Sequence, residues 1–171
     1  MFCKKDNLNE FILGFFILIL LVMIFIPISM MPEQKNILTI IATDEDNPGV
    51  GTTNIKFSQN DIVIGNALSH ENGEDTININ ENGVYQISYQ LYGQNENLVT
   101  FKFNAVLLVN NNPLENTFNE GPILRQNTEN RMTLSGTVIL KLNAGDNLKL
   151  QAVTIEDINF PRARMDIEKI A

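Results

Sequence analysis

The chain contains 171 residues, with a mass of 19.3 kDa, a formal net charge of −8 and a sequence pI of about 4.6. This length allows one domain of ordinary size and a tail, and the acidic balance argues against the phosphate backbone of a nucleic acid as a partner. The single cysteine, Cys3, excludes an internal disulfide and a cysteine-rich metal site.

The N-terminal part of the chain carries one long apolar run. Residues 1–10 form a short polar tail, and residues 11–26 contain no charged or strongly polar side chain. The uncharged stretch continues to Pro32, and a helix that spans the hydrocarbon core of a membrane needs roughly 20 apolar residues. A buried core helix is the alternative, but such a helix usually has a polar face and this run has none. We therefore predict a transmembrane helix over residues 11–31 and a juxtamembrane linker over residues 32–36.

The flanks of the apolar run predict its orientation and its processing. Lys4 and Lys5 precede it, and the positive-inside tendency places this end in the cytoplasm. The run ends in the sequence SMMPE over residues 29–33, which offers no small-x-small site for a signal peptidase. We expect an uncleaved signal anchor in the cell membrane, with the tail cytoplasmic and the C-terminal domain extracellular.

After Asn36 the sequence changes to short alternating runs that are separated by Asn, Gly and Asp. Alternation of apolar and polar residues is typical of half-buried strands, and Gly, Pro, Asn and Asp are typical of the turns between them. In the first half of this region the pattern predicts strands over 37–42, 55–57, 62–64 and 76–80, an acidic loop over 43–49 with the turn dipeptide Pro48-Gly49, and an acidic turn over 71–75.

The clearest strand of the chain follows the turn signal Asn82-Gly83, because both of these residues tolerate positive φ. Residues 83–91 then alternate strictly between an apolar face and a polar face. The apolar face, which we expect to lie in the core, consists of Tyr85, Ile87, Tyr89 and Leu91. The polar face consists of Gln86, Ser88 and Gln90 and meets either water or another subunit.

The second half of the region repeats the alternating pattern. Predicted strands cover 98–109, 132–142, 148–152 and 162–170, separated by the breaker Asn110–Pro113, the irregular polar segment 115–130 and the tight turn 143–146. No segment outside residues 11–31 has the period of a helix. Many short strands with frequent turns indicate an all-β sandwich or jelly roll over residues 37–171, which is long enough to bury a single core.

Three segments of this region resemble one superfamily. Residues 83–89, with the sequence GVYQISY, resemble a strand of tumour-necrosis-factor-like and complement globular-head domains. Residues 142–150, with the sequence LNAGDNLKL, are similar to a hairpin of the same domains. Residues 163–171 look like the final strand of the bacterial members, which include the heads of collagen-like spore-surface glycoproteins. The resemblance covers residues 37–171.

The resemblance implies a ten-stranded jelly roll that assembles as a compact homotrimer. It places the strand over residues 83–91 in the inner sheet near the threefold axis, so Gln86, Ser88 and Gln90 become the predicted trimer interface. The chain departs from the collagen-like members, because it has no Gly-x-y stalk and the predicted membrane anchor directly precedes the domain. Its Asn- and Ile-rich composition is typical of a bacterial gene of low GC content.

No group of residues in the sequence predicts catalysis or a cofactor. The only histidine, His70, lies in a predicted loop, where we expect it to be solvated, and the chain contains neither a Gly-x-Ser-x-Gly elbow nor a metalloprotease helix. Asp44, Glu45 and Asp46 are the candidate ligands of a calcium ion, which needs about six to eight oxygen ligands. Because this run lacks the spacing of a known calcium loop, we predict no metal site.

Two functions fit these features, and a third does not. The first is a non-enzymatic, membrane-anchored surface protein whose trimeric head binds an unidentified protein or glycan or forms a surface layer. The second is a structural subunit of a spore coat, an appendage or a phage particle, at whose surface the apolar N-terminus packs against other subunits. The third is an enzyme on a jelly roll, and the missing catalytic residues argue against it. Extraction distinguishes the first two, because an anchored protein is solubilised by detergent and a structural assembly is not.

Overall fold

The computed structural model describes residue 15 and residues 35–43, 48–95, 102–121 and 131–171. The chain divides into two units, Met1–Gln34 and Lys35–Ala171, and every strand given below belongs to the second unit.

The prediction that this is a single-pass protein of the cell membrane is wrong. Among the residues that the structure describes, no helix is long and apolar enough to cross a membrane. Within the described strands, polar side chains alternate with apolar ones and interrupt each apolar run. The predicted anchor over residues 11–31 and the predicted tail over residues 1–10 lie outside the described residues, with the exception of Phe15.

In the unit Lys35–Ala171 the described residues form strands, turns and one short 3₁₀ helix over Glu115–Thr117, which confirms the all-β class of this unit. Within the described ranges the strands number eleven where the resemblance implied ten, and two of the eleven are only two residues long. The strands are β1 (Asn36–Ala42), β2 (Pro48–Asn54), β3 (Gln59–Ile64), β4 (Leu68–His70), β5 (Ile77–Ile79), β6 (Gly83–Gln94), β7 (Phe103–Val109), β8 (Asn112–Pro113), β9 (Asn119–Glu120), β10 (Arg131–Leu142) and β11 (Asn147–Lys169).

The long strand β11 takes part in both layers of the sandwich. Its C-terminal half lies between β6 and β1, and the inner sheet has the antiparallel order β10-β6-β11-β1-β3. Its N-terminal half pairs with β7 on one side and with β5 and β2 on the other, and β4, β8 and β9 extend this outer layer. Register shifts separate the two halves between Thr154 and Ile158 and between Asn159 and Arg162.

The core lies between the two layers and is built from the apolar face of each strand. Tyr85, Ile87, Tyr89 and Leu91 of β6 lie in this core and are at most 3% exposed. Phe103 and Phe160 pack edge to face with their ring centres 5.0 Å apart. Complete burial of a large aliphatic or aromatic side chain stabilises the fold by about 1.5–3 kcal/mol relative to its exposed state.

Two predicted boundaries of the outer layer differ from the structure. Pro48-Gly49 was expected to form a turn and instead opens β2, a position that proline tolerates because the first residue of a strand need not donate to the ladder. Ile55–Phe57 was expected to form a strand and lies outside the strands, although Ile55 and Phe57 are fully buried. The apolar residues there are buried in the core, but their backbone groups bond to two different segments. The amide of Ile55 donates to the carbonyl oxygen of Leu150 on β11 over 2.9 Å, and the amide of Phe57 donates to that of Glu74 in the acidic turn over 3.0 Å.

Candidate functional site

The face of the inner sheet that points away from the core is called the exposed face here. Directly opposed residues of antiparallel strands project on the same side of a sheet, and the register therefore assigns the members of this face. From β10 across β6, β11 and β1 to β3, one row contains Ile139, Gln86, Glu168, Ile37 and Ile64, and the next row contains Thr137, Ser88, Asp166, Thr39 and Ile62. The following rows contain Ser135, Gln90, Arg164 and Ile41, and then Thr133, Tyr92 and Arg162.

The three residues of the predicted trimer interface all lie on the exposed face. Gln86 and Gln90 are exposed, and Ser88 is half-buried between them. The period of two in β6 explains this arrangement, because the residues between them point into the core. The structure contains one chain, so the role of these residues in a trimer stays a prediction.

Polar contacts join two pairs of neighbouring strands, β10 with β6 and β11 with β1, at the centre of the exposed face. The hydroxyl groups of Ser88 and Thr137 lie 3.0 Å apart. On the other side of Ser88, Thr39 Oγ1 donates to Asp166 Oδ1 over 2.7 Å, and Arg164 donates to both oxygens of Asp166 over 2.8 and 2.9 Å. The hydrogen bonds from Arg164, helped by the bond from Thr39 and opposed by burial, hold the pKa of Asp166 below its usual value.

Two clefts lie next to each other on the exposed face and share Gln90. The first has a volume of about 320 Å³ and mostly apolar walls, formed by residues that include Ile41, Tyr92 and Arg162. The second has a volume of about 360 Å³ and polar walls, formed by residues that include Ser88, Ser135, Thr137 and Asp166. Together they give the centre of this face a concave shape with side chains that can both donate and accept hydrogen bonds.

Large apolar side chains are exposed at both edges of the same face. Ile139 on the edge strand β10 is 59% exposed, and Ile62 and Ile64 on the edge strand β3 are 41% and 47% exposed. The side chain of Asn119 on β9 donates to the carbonyl oxygen of Ser135 on β10 over 2.6 Å. This bond occupies one backbone acceptor of an edge that would otherwise be open to pairing with another strand. The exposed face therefore has apolar surface at both edges and polar clefts between them.

The structure places His70 differently from the prediction. His70 ends the short strand β4, and it is 7% exposed instead of solvated. Its Nδ1 lies 2.7 Å from Asn60 Oδ1, and its Nε2 lies 3.0 Å from the carbonyl oxygen of Glu74. Its ring packs nearly perpendicular to that of Phe57, with the ring centres 6.0 Å apart. These contacts connect β3, β4 and the acidic turn, so His70 has a structural role that its polar sequence neighbours did not reveal.

The candidate calcium ligands Asp44, Glu45 and Asp46 lie outside the described residues. Within the residues that the structure does describe, no group of three or more His, Cys, Asp or Glu side chains could hold a metal ion.

A second polar cluster, which the sequence did not reveal, lies in the outer layer and is called the Lys149 cluster here. It consists of Asn54 at the end of β2, Asp75 before β5, and Lys149 and Gln151 on β11. Burial alone raises the pKa of Asp75, but hydrogen bonds from Thr76, Asn54 and Lys149 outweigh burial and hold the pKa below its usual value. The members are far apart in sequence, so no local pattern could have identified this cluster.

Comparison with solved structures identifies the fold. No protein-family model and no curated protein matches the chain. Murine APRIL at pH 5.0 aligns with a TM-score of 0.57 and 14% identity over 80% of this chain and all of that chain. The globular domain of zebrafish complement 1qA aligns with a TM-score of 0.57 and 10% identity over 81% of this chain and 98% of that chain. The greater similarity to bacterial collagen-like proteins stays a prediction. The chain has the jelly-roll fold of tumour-necrosis-factor-family and complement globular-head domains.

Proposed function

We propose that residues 37–171 form a non-enzymatic head domain that assembles as a homotrimer through the exposed face. The assembled head serves to bind a protein or glycan, or to build a surface layer. The observation that carries the proposal is the combination, on one sheet face, of exposed isoleucines at both edges and polar clefts at the centre.

The isoleucines distinguish this face from an ordinary solvated one. One face of an antiparallel sheet often meets water, and its side chains are then polar. Here Ile62, Ile64 and Ile139 present apolar surface to solvent, and burial of such surface releases about 25 cal/mol per Å². The polar centre adds specificity, because the clefts contain donors and acceptors that a second copy can pair.

The position of the isoleucines suits a threefold arrangement. A closed ring of three copies brings two different patches of each copy into contact, unlike a twofold dimer, in which one patch meets itself. The edge strands β3 and β10 lie at opposite ends of the inner sheet, and each carries exposed isoleucine on the same face. These edges supply two apolar patches for such a ring, with the polar clefts between them.

Light scattering on the fragment Met31–Ala171 tests the trimer. We expect the parent fragment to have three times its monomer mass at roughly 50 μM, a concentration at which specific self-association is populated. Ser88→Asp should dissociate it, because three negative charges would meet near one axis in a partly desolvated place. Ser88 also lies opposite Asp166 within the chain, so this variant adds repulsion inside the monomer as well.

A second variant separates assembly from monomer stability. Ile139→Lys changes a side chain that is 59% exposed, so it should alter monomer stability by no more than about 0.5 kcal/mol. It should nevertheless weaken the trimer, because it removes apolar contact and adds a charge at the interface. Glu71→Gln, in an exposed turn away from this face, is the matched control and should leave the mass unchanged. A parent fragment that stays monomeric, or an Ile139→Lys variant that associates as the parent does, contradicts the proposal.

A further inference from the structure

The Lys149 cluster brings an amine, a carboxylate and two carboxamides into contact, and the proposed function does not use it. Asp75 contacts both Lys149 and Asn54, and Gln151 contacts Asn54 from the other side. We propose that Lys149 and Asn54 form an intramolecular isopeptide bond, with Asp75 as the proton carrier and Gln151 as the donor to the carbonyl oxygen.

The carboxylate of Asp75 joins the two groups that would react. Asn54 Nδ2 donates to Asp75 Oδ2 over 2.9 Å, and Lys149 Nζ donates to the same oxygen over 3.3 Å. Lys149 Nζ also lies 3.3 Å from Asp75 Oδ1. One carboxylate oxygen therefore contacts both the attacking amine and the nitrogen that would leave, which is the arrangement that a proton carrier between them requires.

The register of β2 and β11 brings the amine near the carboxamide. Gln151 lies directly opposite Asn54 in this pair of strands, and Lys149 is two residues earlier on the same face of β11. Lys149 is thus a diagonal neighbour of Asn54, a separation that long side chains bridge. Gln151 Nε2 donates to Asn54 Oδ1 over 2.9 Å, so a donor already points at the oxygen on which negative charge develops during attack.

The surroundings of the amine are partly apolar. On the β7 side, Lys149 lies opposite Leu108 and Gln151 lies opposite Val106, and these two apolar residues are 4% and 3% exposed. The side chains of Lys149 and Asp75 are themselves only 17% and 22% exposed. Only a neutral amine is a nucleophile, so the attack requires Asp75 to take a proton from Lys149 first.

The reaction balances without an oxidant or a further reactant. The ammonium group of Lys149 gives one proton to Asp75, and the free Nζ attacks Cγ of Asn54. Asp75 passes this proton to Nδ2 of Asn54 and takes a second proton from Nζ. The bond between Cγ and Nδ2 breaks and ammonia leaves. The product is an amide between Lys149 and Asn54, with Asp75 left protonated, so atoms and charge are both conserved.

Intact-mass measurement of the full-length chain tests the bond directly. We expect the purified protein to be lighter than its sequence mass by one ammonia, about 17 Da. A proteolytic digest should contain a branched peptide that joins the segment around Asn54 to the segment around Lys149. Lys149→Arg keeps the positive charge but cannot form the bond, and Asp75→Ala removes the proton carrier, so both variants should have their full sequence masses. Lys141→Arg, on β10, is the matched control and should retain the loss.

Loss of ammonia has one other source in this chain, and the same variants exclude it. Asn72-Gly73 and Asn82-Gly83 can each form a succinimide, which has the same mass change but gives no branched peptide and is cleaved by hydroxylamine. A mass loss that persists in Lys149→Arg overturns the proposal. So does a folded wild-type protein, as judged by circular dichroism, that keeps its full sequence mass.

Discussion

The two faces of β6 differ in exposure, because one lies in the core and the other carries the proposed interface. On the inner face, Ile87 and its apolar neighbours are almost completely excluded from water. On the exposed face, Gln86 and Gln90 are exposed, and the backbone that carries them is the same. Because the period of a strand is two, a substitution on one face leaves the other face in place. The fold can therefore vary its exposed surface without rebuilding its core.

The largest expected effect comes from the inner face. Ile87 is fully buried, and its replacement by alanine leaves a cavity between the layers, so Ile87→Ala should lower the free energy of unfolding by about 2–5 kcal/mol. Urea denaturation of the fragment Met31–Ala171 measures this change. The neighbouring exposed substitution Gln86→Ala should change it by no more than about 0.5 kcal/mol. If the two substitutions lower the free energy of unfolding equally, the two faces do not differ in their contribution to stability.

A smaller effect is expected where β10 covers β6. Gly136 lies opposite Tyr89, and a Cβ atom at Gly136 would lie 2.7 Å from three atoms of the Tyr89 side chain. Tyr89 has little room to move, since its hydroxyl donates to the carbonyl oxygen of Thr117 over 3.3 Å. Gly136→Ala should therefore lower the free energy of unfolding by about 1–3 kcal/mol, the usual cost of overpacking.

Thr137→Ala is the matched control for this glycine, because residue 137 adjoins it and points to the exposed face. It should have a much smaller effect on urea denaturation. If Gly136→Ala proves as stable as the wild type, then Tyr89 can move aside and the inner face of β6 is less tightly packed than its burial indicates.

The sequence predicted β6 well because its signal is local. Strict alternation after Asn82-Gly83 indicated both the strand and the face of it that would be buried. The sequence did not predict the Lys149 cluster, because its contacts depend on the register of β2 and β5 against β11. Register is a long-range property that a period of two cannot specify.

The misplacement of His70 has a related cause. Ser69 and Glu71 are both exposed, so the local sequence reads as a polar loop. Burial of the ring is decided by Asn60, which is ten residues away and provides both a ring contact and a donor to the carbonyl oxygen of His70 over 2.9 Å. A polar residue with such a partner can occupy an interior position at little cost.

The charged residues at the centre of the exposed face should make the stability of the fold depend on pH. The pKa of Asp166 is lowered from 3.8 by its bond to Arg164. The carboxylate therefore stabilises the folded state above the unfolded-state pKa, and this contribution is lost as the pH falls through the folded-state pKa. Asp166→Asn should lower the melting temperature at neutral pH and make its decline below about pH 4 shallower. Glu71→Gln is the control, and an Asp166→Asn variant with the parent's pH profile contradicts this assignment.

The last prediction is that stability does not change, and it tests whether the packed core is sufficient to stabilise the fold. Among the residues that the structure describes, twenty-six buried apolar residues form one cluster between the layers. Cys3 is the only cysteine of the chain, so the fragment Met31–Ala171 should fold without a disulfide or a metal ion. Its melting temperature should be the same with and without a reducing agent, and with and without a chelator. A clear drop with chelator alone would show that an ion stabilises the folded state, since a ligand that binds only that state raises its stability. Asp44→Asn and Glu45→Gln would then have to abolish the effect of the chelator for residues 44–46 to be the ligands.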